Sequence, residues 1–267
     1  MNISVHEREA LRELAVRLAE EAGGLLASFA ERLPDLVVDT KTSATDPVSE
    51  ADRAAERLIA SQLLLARPDD GLLGEEDQAS RSGTSGLRWV VDPLDGTVNF
   101  LYGIPMWCVS VAVEDDEGPL AGAVHHPGRG ETFHAARGAG AACGRTTLAV
   151  TGVSDPGRTL VATGFAYDAA VRADQAADAA ALLGEVRDLR RGGAAALDLA
   201  WTAAGRLDAY IEFGLQPWDW AAGRLLVTEA GGVVSEHRRR LGGHSQVGIV
   251  AGGRSAHDHL AAWLDRR

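Results

Sequence analysis

Beyond about residue 152 the chain alternates short apolar runs with longer amphipathic stretches, and no other feature limits its possible folds so strongly. Strands are predicted at 159–163, 186–190, 207–213, 232–235 and 247–251, with helices at 170–183, 194–204, 219–230 and 255–265. Gly205 and Gly231 stand where helix C-terminal glycines belong, and Ser255 where an N-cap belongs. An element pattern of this kind requires a layered α/β architecture in which strands are buried between helices.

The first half has a different texture. Leu11, Leu14, Ala15, Leu18, Ala22, Leu25, Leu26 and Phe29 recur at helical spacing, which predicts a helix over about 7–32, stopped by Leu33-Pro34. A second helix is expected from Ser49 through Ala55, Leu58, Ile59 and Leu63 to about Ala66, before Pro68. Strands are expected at 87–91, 107–113 and 119–125, the last two joined as a hairpin by the acidic turn Glu114 to Gly118; 131–135 and 147–150 extend the sheet. The expected division is therefore 1–152, α+β, and 153–267, α/β, forming one compact unit.

With 267 residues, 46% hydrophobic and 24% charged, the chain has the make-up of an ordinary globular protein with a sizeable core. It contains no apolar run of about 18 residues, and its start, MNISVHEREALREL, carries charge where a signal peptide is hydrophobic. A cytoplasmic location is the expectation. The net charge of −12 argues against broad binding to nucleic acid or to an anionic membrane, both of which require a basic face. Arg238-Arg239-Arg240 reads as a solvated turn. Cys108 and Cys143 have no CxxC spacing and read as reduced thiols, not as zinc ligands.

Chemistry concentrates in residues 89–100, WVVDPLDGTVNF. The run Leu87 to Val91 reads as a buried strand that Pro93 ends, and Asp95-Gly96 is a turn pair, so Asp92 and Asp95 should lie at a strand's carboxyl end. Hard carboxylate oxygens there suit Mg²⁺. Gly96 and Thr97, where they open a helix, offer backbone N–H donors to a phosphate. Asp95-Gly96 by itself reads as an ordinary turn. Upstream stands Gly74-Glu75-Glu76-Asp77, downstream Trp218-Asp219-Trp220-Ala221-Ala222-Gly223, and Lys41 to Asp52 reads KTSATDPVSEAD.

In order and spacing these segments resemble the inositol monophosphatase family of Mg²⁺-dependent, lithium-sensitive phosphatases, marked by GEE, DPxDGTxNF and WDxAAG, with the likeness running from about Lys41 to Gly232. The resemblance implies a five-layered αβαβα fold, a homodimer and two or three Mg²⁺ ions per site. It implies Glu75, Asp92, Asp95, Asp219 and the backbone carbonyl of Leu94 as metal ligands, with Glu75 and Thr97 placing the attacking water. Asp52 matches the aspartate that orients this threonine; it also completes a helix capping box, Ser49-x-x-Asp52. Lys41 matches a lysine near the third metal. Glu76 and Asp77 read as surface charges.

On the substrate side the resemblance implicates Asp95, Gly96, Thr97, Gly193, Ala194, Ala195, Asp219 and Glu212, the last touching the alcohol half of a small phosphorylated polyol. Ser or Thr usually occupies the place of Ala194, so one hydroxyl contact is missing here. Trp218 and Trp220 read as core packing around a helix start. Inositol 1-phosphate is the first candidate substrate; histidinol phosphate, fructose 1,6-bisphosphate and adenosine bisphosphates are alternatives. Haloacid-dehalogenase-like phosphatases also carry DGT, but within DxDGT, whereas Asp92 and Asp95 are three apart. A non-catalytic binding or regulatory protein on the same fold is the rival of another class.

Overall fold

The computed structural model describes residues 3–33, 36–40, 47–76 and 80–267; Pro34, Lys41 and Asp77, singled out in the sequence, lie outside them. Helix α1 (Val5–Ala30) starts at Ser4, whose side chain accepts the Glu7 N–H at 3.1 Å. Its apolar stripe, Leu11, Leu14, Ala15, Leu18, Ala22 and Leu26, is buried. The short ribbon β1 (Val38–Thr40) and β2 (Pro47–Ser49) leads into α2 (Glu50–Ala66), which Ser49 and Asp52 open with a reciprocal capping box.

A seven-stranded sheet follows, in the order β3 (Gly71–Gly74), β4 (Arg88–Asp95), β5 (Cys108–Asp115), β6 (Gly118–His126), β7 (Glu131–Ala136), β8 (Ala141–Cys143), β9 (Thr146–Thr147). The β3–β4 pair is parallel, and the rest are antiparallel. Successive residues of β4 serve opposite faces: Trp89 and Val91 enter one core and Val90 the next. A strand covered on both sides reads as an unbroken apolar run. Pro93 does not end this strand as expected. The ladder slips between Asp92 and Asp95, a bulge that accommodates a proline without an N–H and carries β4 on to Asp95.

The second sheet runs β11 (Asp188–Arg190), β10 (Leu160–Ala162), β12 (Ala209–Phe213), β14 (His244–Gly252), β13 (Val233–Leu241). Between the two sheets lie α5 (Ala195–Ala203) and α6 (Pro217–Glu229), while α4 (Ala169–Leu182) and α7 (Arg254–Leu264) cover the far face of the five-stranded sheet. With α1 and α2 on the outer face of the first sheet, the layers read αβαβα. Three apolar cores fill the gaps, typified by Leu18, Ile59 and Trp89, by Phe133, Leu197 and Leu226, and by Val161, Leu260 and Trp263. Each such side chain, fully buried, stabilises by about 1.5–3 kcal/mol.

Several sequence expectations are corrected. Strands β3 and β8, too short and glycine- or alanine-rich to announce themselves, were not anticipated. The strand expected at 147–150 is only Thr146–Thr147. β13 and β14 are much longer than expected and form one antiparallel hairpin turned at Gly242-Gly243. Arg238, Arg239 and Arg240 therefore lie in a strand, not a turn, and Arg239 pairs with Asp178 of α4. Ser255 is inside α7, whose N-cap is Gly253. Gly205 and Gly231 do follow α5 and α6 with positive φ. Among the described residues no helix is long and apolar enough to cross a membrane.

Candidate active site

The bulge in β4 sets both aspartates at one edge of a cleft of about 870 Å³. Asp92 is 2% exposed and Asp95 8%. Asp92 Oδ1 accepts the Leu94 N–H at 3.0 Å, which folds the turn back on the carboxylate. Gly96 has φ +93°, and a Cβ there would lie 2.8 Å from the Met106 carbonyl oxygen, so only glycine makes this turn. Helix α3 (Thr97–Leu101) then starts at Thr97, so the residue pair does open a helix.

Thr97 Oγ1 lies 3.0 Å from both Asp52 Oδ1 and the Leu94 carbonyl oxygen. Asp52, buried at 0% exposure, also accepts the Ser49 N–H at 2.9 Å. The two readings of Asp52 thus coexist, because its two oxygens serve different partners: one caps α2, the other takes the threonine hydroxyl.

Glu75 follows β3, its N–H donating to the Val91 carbonyl at 3.2 Å, and its charge bears on Asp92, Asp95 and Asp219. Glu76 is not merely a surface charge: it lines the same cleft, and its N–H donates to Glu56 Oε1 at 3.2 Å. Asp219 sits in the first turn of α6, where Oδ2 accepts the Gln216 N–H at 2.7 Å. From the far end of the sequence Asp95 Oδ2 takes the Ala196 N–H at 2.7 Å and a weak contact from the Cys108 thiol at 3.6 Å.

Burial and mutual repulsion dominate the electrostatics. Burial raises Asp92 well above the usual carboxylate range, and the charges of Glu75, Asp95 and Asp219 add to this. Asp219 is likewise raised, first by burial and then by Glu75. Asp95 is pushed up to about 6 by burial, against the pull of the Ala196 N–H. Among the described residues no Lys or Arg pairs with Asp92, Asp95 or Asp219. A hard cation would supply the missing positive charge, and an all-oxygen donor set fits Mg²⁺. Among the described residues no three His, Cys, Asp or Glu groups are already drawn into a finished cage; protein N–H groups hold the carboxylates instead.

Glu212 enters the cleft from β12. Its Oε2 accepts the Tyr210 hydroxyl at 2.7 Å, and a Cβ on Gly164 would lie 2.1 Å from the same oxygen. Burial lifts Glu212 to about 7, with the Tyr210 hydroxyl and Arg191 opposing. Gly193 (φ +86°), Ala194 and Ala195 form the start of α5 beside it, and Ala194 as N-cap offers no side-chain acceptor. Trp218 and Trp220 are half-buried against the middle core, as expected of packing residues, although Trp218 also lines the cleft. Lys41 lies outside the described residues.

Sequence reasoning assigned no individual role to Asn99, Tyr210 or Asp198, the last falling only within the stretch Arg190 to Asp198 that resembles the family's substrate-contacting loop and helix start. Asn99 Nδ2 donates to the carbonyls of Met106 (2.6 Å) and Gly192 (2.9 Å), tying α3 to the loop before α5. Asp198 is 2% exposed and raised well above the usual range by burial and then by Glu212 and Asp95. A lone acid in the apolar stretch AALDLAWTA was the available signal for it.

Comparison with known proteins agrees with this arrangement. The inositol monophosphatase family profile matches residues 7–266. Inositol-1-monophosphatase SuhB of Mycobacterium tuberculosis is 40% identical over a 277-residue alignment that covers 98% of this chain and 95% of that protein. Nus factor SuhB of Escherichia coli is 40% identical over 243 residues, 90% of each chain. The crystal structure of extragenic suppressor protein SuhB from Bartonella henselae superposes with a TM-score of 0.85 at 38% identity, covering 94% of this chain and 96% of that one. With the family's motifs gathered around one acidic cleft and the likeness spanning nearly the whole length, the chain belongs to the inositol monophosphatase family.

Proposed function

We propose that the protein hydrolyses a small phosphate monoester with the aid of Mg²⁺, inositol 1-phosphate being the first substrate to try. The observation that carries this reading is the hydrogen bond from Thr97 to the buried Asp52, placed beside the acids Asp92, Asp95 and Asp219 in one cleft. Glu75, Asp92, Asp95, Asp219 and the Leu94 carbonyl would hold two or three ions. When bound, Mg²⁺ supplies the positive charge that offsets both the carboxylates and the phosphate, and it polarises water.

The chain's own groups do the rest. Donating its proton to Asp52 leaves Thr97 Oγ1 with lone pairs to accept a hydrogen bond from the attacking water, and the Glu75 carboxylate takes the water's proton. The Gly96 and Thr97 N–H groups receive phosphate oxygens. Glu212, with Gly193, Ala194 and Ala195, receives the alcohol half. Attack by water without a covalent intermediate is the expected course: the ester P–O bond breaks as the new P–O bond forms, and the departing alkoxide takes a proton from solvent water to leave as the alcohol; lithium should inhibit. Ca²⁺, with its larger and looser shell, should bind without supporting turnover.

Phosphate release in Mg²⁺ from inositol 1-phosphate, histidinol phosphate, fructose 1,6-bisphosphate and adenosine 3′,5′-bisphosphate tests the reading. No Mg²⁺-stimulated release from any of them would overturn it. The relative named Nus factor SuhB supports a second role as a protein-binding partner. We further infer a cytoplasmic homodimer, which light scattering showing only monomer would refute.

A further inference from the structure

One wall of the cleft is a stretch of backbone, residues 164–168, that leaves β10 and enters α4. It touches the substrate-side carboxylate directly, since Gly164 leaves no room for a Cβ beside Glu212. Two side chains of α4 hold this wall by its backbone, and neither lines the cleft. Gln175, 6% exposed, accepts the Ala166 N–H on Oε1 at 2.8 Å and donates from Nε2 to the Phe213 carbonyl at 2.9 Å. Arg172 Nη1 donates to the carbonyls of Ala166 and Tyr167, both at 2.9 Å. Asp168 caps the same helix through Ala170 and Val171.

The groups that Gln175 joins are an N–H on the wall and a C=O on the residue after Glu212. A side-chain amide presents an acceptor and a donor together without charge, so it satisfies both in a place closed to water. The link fixes the distance between the wall and the strand end that carries Glu212. Among the described residues these two hydrogen bonds of Gln175 reach Ala166 and Phe213, not Asp92, Asp95, Thr97 or Asp219.

We propose that Gln175, seconded by Arg172, is a positioning residue that sets the width of the pocket for the alcohol half of the substrate and so governs discrimination among alcohols. The inference rests on the phosphatase reading given above. A wall freed from Phe213 would still admit phosphate to the acidic end, but would no longer hold a ring-bearing alcohol against Glu212.

The test compares inositol 1-phosphate with glycerol 2-phosphate in the Mg²⁺-loaded protein and its Gln175→Met and Arg172→Met variants. Loss of one or two such hydrogen bonds should lower the preference for inositol 1-phosphate roughly 5- to 30-fold for Gln175→Met, through KM, with kcat on glycerol 2-phosphate within about twofold of the parent. Arg172→Met should shift the preference in the same direction by less. Amide hydrogen exchange across 164–168 should quicken in both variants, whether or not any substrate is turned over. Asp174→Asn, which disturbs only the contact of α4 with the Gly242 N–H, should leave the preference unchanged. A parent protein with no activity would sink the phosphatase reading alone, and exchange would still decide the clamp. Active variants whose preference is unmoved, or that slow on both substrates equally, would overturn the clamp, as would unchanged exchange. If Gln175→Met does not fold, Arg172→Met is judged by the same two readouts.

Discussion

Asp95 Oδ2 accepts the backbone N–H of Ala196, 101 positions further on, at 2.7 Å. The N-cap of α5 is Ala194, which has no side-chain acceptor, so a carboxylate of the first sheet caps a helix sandwiched between the two sheets. A residue assigned to the metal thus also joins the two halves of the chain. Asp95 also lines the acidic cleft.

Restoring a hydroxyl at the helix start should therefore stabilise the protein. In Ala194→Ser the new oxygen can accept the Leu197 N–H, a cap contribution of about 0.5–2 kcal/mol. Thermal melting of the metal-free protein should register an increase. An unchanged or lower Tm would mean that Asp95 already satisfies the first turn, or that this buried position has no room for the extra atom.

Asp95→Asn separates the two roles. The amide oxygen can keep the Ala196 bond while the charge is lost, so turnover should fall at least about 100-fold with the fold intact. Stability without metal should hold or rise, since a buried charge facing Glu75 is removed. Near-normal turnover at saturating Mg²⁺ would remove Asp95 from the ligand set.

The raised carboxylates predict an unusual pH response. Asp95 moves from 3.8 to about 6 and Glu212 from 4.5 to about 7, so between about pH 4 and 7 these two groups bind more protons in the folded chain than in the unfolded one. The contribution of these two groups to the stability of the metal-free protein should fall as pH rises through that window. The opposite slope belongs below it, where Asp70 and Asp115, pulled down by Arg67 and Arg137 despite burial, lose their charges. Mg²⁺ needs the ionised carboxylates and should stabilise most at the upper end. Because His125, His126, His134 and His237, lowered by burial, slope the other way, melting curves of the metal-free parent should be compared with those of Glu212→Gln; a parent that loses no stability relative to that variant from about pH 4 to 7 would contradict the assignment.

How much of this was legible in the sequence depended on what each residue faces. Helices α1 and α2 could be read because one face of each meets the first sheet and the other meets water. β4 was readable as apolar but not in length, since the bulge that carries it past Pro93 is set by its ladder with β5. The Arg238–Arg240 strand was hidden because an edge strand alternates with solvent, and Arg239 finds its partner, Asp178, only on a folded α4. The acids at the site were legible through motif order. The partners that fix them were not: Asp95 with Ala196 and Glu212 with Tyr210 involve residues with no chemical mark of their own in the chain.

Asp52 offers a test of the water-placing pair. Its Oδ1 faces the Thr97 hydroxyl and its Oδ2 the Ser49 N–H, both donors. An Asn at this position must turn its NH₂ towards one of them. Asp52→Asn should therefore cost stability by about 1–3 kcal/mol or free Thr97, and kcat should fall with it. Thr97→Ser, which keeps the hydroxyl, should retain most activity, while Thr97→Ala should lose roughly 10- to 100-fold in kcat on every substrate. Equal rates for the Ser and Ala variants would dismiss the hydroxyl from catalysis.

Tyr210 and Glu212 give the complementary test, because they should act on recognition and leave the reacting phosphate alone. Glu212 is held at about 7 by burial, and the Tyr210 hydroxyl is what keeps it from rising further. If the carboxylate must be charged to accept hydrogen bonds from the alcohol, KM for inositol 1-phosphate should fall as pH rises through the range in which Glu212 ionises in the Mg²⁺-loaded protein. Tyr210→Phe removes the donor, so the midpoint of that fall should move to higher pH while kcat at alkaline pH is preserved. Glu212→Gln should flatten the pH dependence and weaken the preference for inositol 1-phosphate over glycerol 2-phosphate, by roughly 5- to 150-fold for a hydrogen bond to a charged group. A Glu212→Gln enzyme with unaltered preference, or a Tyr210→Phe enzyme whose KM profile keeps its midpoint, would place the alcohol's recognition elsewhere in the cleft.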